Sequence, residues 1–132
     1  MIDAWQSSNP AELVVVIRFV IDSDEAVAFT SSAQSVADVL AVRDGCTEVA
    51  VCRSTDDRGH WLISTRWASV GQYRRAMSAI DVRAQCIPFF GSAVDELTVY
   101  EVLYQRNGEQ AVVSTSARAD DDLSAEATGG AP

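Results

Sequence analysis

The chain has 132 residues, is 48% hydrophobic and carries a formal charge of −9 from 10 basic and 19 acidic residues. That size supports one domain with a modest core. The acidic excess, with no arginine-rich stripe to offset it, argues against nucleic acid and against an anionic membrane as partners.

Every basic residue is an arginine and His60 is the sole histidine. Schiff-base lysine chemistry, a phosphate-loop lysine and a zinc site built on several histidines of one chain are therefore excluded. No apolar run approaches the ~20 residues of a membrane helix. The N-terminus lacks the basic-then-apolar pattern of a secretory signal, so a cytoplasmic protein is expected. Cys46, Cys52 and Cys86 show no C-x-x-C spacing and read as reduced thiols. Cys46 and Cys52 fall on one face of a predicted strand, too far apart along it to bridge each other.

In chain order, residues 1–12 (MIDAWQSSNPAE) have no sustained period and read as an arm, with Trp5 either exposed or docked on the domain. The domain proper is expected over residues 13–105. LVVVIRFVI, from Leu13 to Ile21, is a β-branched run that predicts a strand buried on both faces. Asp22 and Glu25 have the spacing of a capping box, and the helix behind them carries Phe29, Ala33, Val36, Ala37 and Leu40 on one stripe until Gly45 ends it. CTEVAVCRST and HWLISTRW flank DDRG, which predicts a hairpin.

Ser69 and Gln72 make a second box, opening a helix with Val70, Tyr73, Met77 and Ile80 on one face. A short helical piece is expected before Pro88, then a strand over Glu96–Gln105. Residues 106–132 read as a largely disordered acidic tail, in which AVVST (Ala111 to Thr115) has the makings of one edge strand. Its run Asp120–Asp122 lacks the ligand spacing of a calcium loop.

The order is β-α-β-β-α-β, an α+β, ferredoxin-like antiparallel sheet with both helices on one face. This leaves a physical difficulty. Leu13, Val15, Ile17, Phe19 and Ile21 form one row of the first strand, and Val14, Val16 and Val20 the other, interrupted by Arg18. An apolar face that the helices do not reach needs another cover, and a second copy of the chain is the simplest, giving a homodimer. Arg18 and Arg66 lie on that second face, with Glu48 and Glu101 as their expected partners.

With these elements in place, the chain resembles the antibiotic biosynthesis monooxygenase family of dimeric α+β barrels. The resemblance runs from Leu13 to Gln105. It rests on the element order, on DGCTEVAVCRSTDD (Asp44 to Asp57) and above all on LISTRWASVGQYRRAM (Leu62 to Met77). It implies a pocket between helices and sheet for a small aromatic or quinol-like molecule, oxygenated without metal or flavin.

By that resemblance Trp67 and Tyr73 would position the substrate and His60 or a pocket water would take its proton. Ile63, Met77, Phe29 and Phe89 would complete the pocket, and no residue is expected to bind metal. The polyketide oxygenases of the family have an asparagine where this chain has Ile63. The haem-degrading members have a histidine near the position of Gln85, so haem cleavage is not implied. Two readings stay open: an oxygenase, or a non-catalytic dimeric binding module of the same fold in which Trp67 and Tyr73 are ordinary interior aromatics.

Overall fold

The computed structural model describes residues 9–118. Trp5 and the acidic run Asp120–Asp122 lie outside the described residues. Four strands form an antiparallel sheet in the order β3-β4-β2-β5, with β2 Glu12–Val20, β3 Cys46–Arg53, β4 His60–Trp67 and β5 Val99–Val102. The helices α1 (Ala26–Ala41), α2 (Val70–Ser78), α3 (Ile80–Gln85) and α4 (Ile87–Phe90) complete the mixed α+β fold. Among the described residues no helix is long and apolar enough to cross a membrane.

Period-two alternation builds the sheet. Leu13, Val15, Ile17 and Phe19 of β2 are buried, as are Trp61, Ile63, Thr65 and Trp67 of β4. Register sets Leu13 opposite Trp67, Ile17 opposite Ile63 and Phe19 opposite Trp61, so the two rows form one inner face. Each large side chain taken fully from water there contributes about 1.5–3 kcal/mol. Phe29, Ala33, Val36 and Leu40 of α1 close over this face. The alternate row, Val14, Val16, Arg18, Leu62, Ser64 and Arg66, is only half-buried, and among the described residues no helix packs over it.

Several local expectations are corrected. Asp22 makes no side-chain cap; Ser23–Glu25 form a 3-10 turn first, and the helix begins at Ala26. The second cap does form, with Ser69 Oγ accepting the Gln72 amide at 3.2 Å, while the Gln72 side chain accepts from the Ser69 hydroxyl at 3.0 Å. Ala79 is extended (φ −68°, ψ 145°), which separates α2 from α3 and turns Ile80 out to 87% exposure instead of onto the buried face. An irregularity between Cys46 and Glu48 shifts the register of β3, so Cys46 packs toward the core while Cys52 is exposed, not on the same face.

The strand expected over Glu96–Gln105 is two strands in two sheets. β5 ends at Val102, and β6 (Tyr104–Asn107) joins β7 (Gln110–Thr115) in a hairpin through Gly108, flanked by the two-residue β1 (Asn9–Pro10). Residues 106–115, assigned by composition to the tail, thus belong to this hairpin. Ahead of β5, residues 91–98 run as a strap along the edge of β2. The Val94 amide donates to the Arg18 carbonyl and the Val16 amide to the Thr98 carbonyl, both at 2.8 Å.

Gly45 joins the two halves of the fold. Its φ is +91°, and its carbonyl accepts the Ala68 amide that leads into α2. A Cβ at Gly45 would lie 2.4 Å from the Gln72 Cβ, whereas at Gly71 nothing comes nearer than 3.6 Å. Gly45→Ala is expected to destabilise the protein by about 2 kcal/mol or more in urea unfolding. Gly71→Ala, inside a helix, should instead stabilise it by about 0.5–1 kcal/mol.

Candidate functional site

The space between sheet and helices is filled at one end and hollow at the other. At the filled end Phe19, Phe29, Phe89 and Trp61 cluster, with ring centroids 5.0 Å apart for Phe19–Phe89 and 5.2 Å for Phe29–Trp61. The Arg53 guanidinium lies 4.6 Å from the Trp61 ring centroid. At the other end is a cavity of about 500 Å³. Its volume falls within the usual range for small-molecule sites.

The sheet supplies the cavity floor through Val15, Ile17, Thr65 and Trp67. Leu40 of α1 and Tyr73 and Met77 of α2 form one wall. Ile87 and Phe90 of α4 and the strap, through Val94, Asp95, Glu96 and Thr98, form the other. The break at Ala79 explains why a strap and not a long helix lies here: α2 ends one turn past Tyr73, and α3 turns to bury Val82 and Cys86 against α1.

Trp67 is fully buried and meets Tyr73 edge-on, with centroids 5.6 Å apart at 68°. Its indole N–H donates to Thr65 Oγ1 at 2.8 Å, which fixes the ring in the floor. The Tyr73 hydroxyl has no hydrogen-bond partner among the described residues, and burial pushes its pKa up. It is therefore a neutral O–H donor at physiological pH.

The structure brings Trp67, Tyr73 and Met77 together at this cavity and sets the other expected site residues elsewhere. His60 is on the opposite face of the sheet, its Nε2 3.3 Å from Asp57 Oδ2, in a cleft with Cys52, Arg53 and Arg18. Ile63 faces inward but is fully buried between Ile17 and Val51, a packing residue and not a wall of the cavity. Phe29 and Phe89 belong to the aromatic cluster. Gln85 is exposed on a separate surface beside Ser32 and Ser35. Among the described residues, no group of three or more His, Cys, Asp or Glu is placed to hold a metal ion.

Two features of the site escaped the sequence. Thr65 was signalled by alternation alone, as the polar member of the inward row Trp61, Ile63, Thr65, Trp67. The strap carboxylates Asp95 and Glu96 had no local signal, since no periodicity connects them to Trp67. Arg18 is likewise paired differently from expectation: its Nε and Nη2 donate to the two Glu96 oxygens at 2.7 and 2.8 Å. Arg66 donates to Glu12 and Gln105, and Glu101 accepts from Ser116 and the Ala117 amide. These partners come from remote segments that sequence spacing cannot align.

The Arg18–Glu96 pair latches the strap to β2 at the edge of the cavity. A hydrogen bond from Arg18, with the attraction of its charge, holds the Glu96 carboxyl below its ordinary value near 4.5. A carboxylate whose folded pKa is depressed contributes stability above its unfolded value, lost as pH falls through the folded one. The pair is partly exposed, so its contribution is small. Glu96→Gln is expected to melt at a lower temperature than wild type at pH 7. The gap should close as the pH is brought well below about 4.3, the range in which a carboxylate takes up its proton; calorimetry across pH 3–7 checks this.

Known proteins share this fold. The family model described as antibiotic biosynthesis monooxygenase matches residues 12–84. The fold is similar to that of SnoaB, a cofactor-independent oxygenase from Streptomyces nogalater, at 17% identity and a TM-score of 0.62, covering 76% of this chain and 99% of that one. A candidate antibiotic biosynthesis monooxygenase from Deinococcus radiodurans is similar at 18% identity and a TM-score of 0.62, covering 74% of this chain and 99% of that one. A conserved protein from Methanosarcina mazei matches at 14% identity and a TM-score of 0.58, covering 68% and 91%. No curated protein matches the chain.

Proposed function

The chain belongs to the antibiotic biosynthesis monooxygenase family, and on that footing we propose that it oxygenates a neutral aromatic or quinol-type molecule in the cavity, without metal or flavin. The observation that carries this reading is the cavity itself: apolar walls around Trp67, with the hydroxyls of Tyr73 and Thr65 as donors. A substrate with an acidic C–H next to a phenol or ketone loses a proton, and the resulting anion is electron-rich enough to reduce dioxygen. One electron passes to dioxygen, the radical pair joins as a carbon-bound peroxide, and protonation gives a hydroperoxide. Loss of water from it, with cleavage of the O–O bond and departure of the remaining C–H proton, leaves a carbonyl. In sum, a methylene group and a molecule of dioxygen give a carbonyl group and a molecule of water.

The protein's part is to hold the anion and take the proton. Tyr73 donates to the developing oxyanion. His60 faces away from this cavity, so its proton-accepting role passes to Asp95, the cavity-lining carboxylate with no ion-pair partner among the described residues. Glu96 is less suited, because Arg18 holds it ionised.

A second copy of the chain is proposed to cover the open sheet face. Val14, Val16 and Leu62 there are half-buried and Val20 is 60% exposed, with Arg18 and Arg66 among them. Sedimentation equilibrium at micromolar concentration should give a dimer, and Val16→Glu should weaken it by tenfold or more. A wild-type monomer would contradict this.

Oxygen uptake with the hydroxylated anthrone dithranol tests the activity. Uptake well above the spontaneous rate is expected, with about a hundredfold loss in Asp95→Asn and tenfold or more in Tyr73→Phe, the sizes usual for a proton acceptor and an oxyanion donor. The departure of this chain from the oxygenases, Ile63 in place of a polar residue, supports a second reading, a binding module without chemistry. Binding of dithranol with uptake no faster than in buffer would favour that reading over the first.

A further inference from the structure

We propose that Thr65 is the polar anchor of the cavity: its hydroxyl donates a hydrogen bond to an acceptor oxygen of the bound molecule and so selects oxygen-bearing aromatics. The inference rests on the cavity being a small-molecule site, as proposed above, and assigns the residue that decides what it takes.

Thr65 is 4% exposed. A threonine hydroxyl has one proton and two lone pairs. Here one lone pair receives the Trp67 indole N–H at 2.8 Å, so the hydroxyl proton cannot point toward the indole. It has no acceptor among the described residues. The main chain offers little alternative, because Thr65 sits mid-strand in β4 between Val15 of β2 and Val49 of β3, and ladder hydrogen bonds run on both sides. The oxygen already has one partner in the indole, so it is the hydroxyl proton that is left to assign. Thr65 lines the cavity, so the acceptor comes from what the cavity holds.

The surroundings narrow the ligand class. No basic side chain lines the cavity, and two carboxylates, Asp95 and Glu96, stand on the strap. Aromatic carboxylates and phosphates are disfavoured, having no cation to meet and two anions to pass. What fits is a neutral, flat molecule carrying a carbonyl or phenolic oxygen, with Thr65 and Tyr73 as its donors. In the inward row of β4, Thr65 is the residue that carries a hydroxyl, and removing that hydroxyl also takes the acceptor from the Trp67 indole N–H, which is why the test reads a ratio of two ligands.

The test compares 9-fluorenone with fluorene, isosteres that differ in one ketone oxygen and have no site for addition of the exposed Cys52 thiol. Equilibrium dialysis gives the ratio of their dissociation constants. Thr65→Val is expected to lower the preference for the ketone about five- to tenfold, the value of one neutral hydrogen bond. Thr65→Ser should hold the preference within about twofold, since the donor is kept. A purely structural role for Thr65 as the Trp67 acceptor would weaken both ligands together and leave the ratio unmoved.

An unchanged ratio in Thr65→Val overturns the inference and leaves the cavity reading standing. If wild type binds neither compound, the cavity reading fails and the inference with it. Should Thr65→Val not fold, the carbonyl carbon resonance of 13C-labelled fluorenone bound to the Tyr73→Phe/Thr98→Val double variant decides, because Thr65 is then the remaining side-chain hydroxyl lining the cavity. A downfield shift from its position in cyclohexane supports the inference, and an unshifted resonance overturns it.

Discussion

β2 is apolar on both sides, and a strand of that kind has to be covered twice. Its inner row, Leu13, Val15, Ile17 and Phe19, lies under the helices in register with Trp67, Thr65, Ile63 and Trp61. The volume along that row is uneven. Beside Phe19 the rings of Phe29, Phe89 and Trp61 fill the layer, while Val15 and Ile17, opposite Thr65 and Ile63, are smaller and the space over them stays open. The cavity therefore follows from where bulk falls on two strands. Arg18 stands at the division: its carbonyl holds Val94 and its guanidinium holds Glu96, so one residue of the outer row fixes the strap that borders the inner space.

What the sequence disclosed was whatever depends on local period. The alternation of β2 and β4, the buried stripe of α1 and the Ser69 cap all appear where their residues put them. Failures came where a residue's direction depends on backbone not written in the pattern. Ile80 has the spacing to face inward, yet one extended residue at Ala79 reverses it. Cys46 and Cys52 have even spacing, yet the irregularity after Cys46 puts them on different faces. Asp22 and Glu25 have a capping spacing, yet the 3-10 turn satisfies the Glu25 amide with the Asp22 carbonyl instead.

The site shows the same division. Trp67, Tyr73 and Met77 were visible because a strand ends, a cap follows and a helix face begins within one short stretch. His60 was in that stretch too, but strand parity puts it on the other side of the sheet, as it lies seven positions, an odd number, before Trp67. The strap lies outside the span matched by the family, which ends at residue 84. Its carboxylates reach the cavity because main-chain bonds carry residues 94 and 98 along β2, a placement no motif records.

Two adjacent carboxylates on that strap are made unequal by one arginine. Glu96 is doubly hydrogen-bonded by Arg18 and resists protonation, so it serves as a latch. Asp95 has no such partner and stands at an exposed position, where a proton taken from the cavity can pass to solvent. Inside, the donors are hydroxyls: Thr65 with its lone pair committed to Trp67, and Tyr73 kept neutral by burial. Donors in the interior and an acceptor at the rim favour a ligand whose negative charge develops at an inner oxygen while its proton leaves outward. That asymmetry is what the proposed oxygenation would use, with an anion formed in place from a guest that enters neutral.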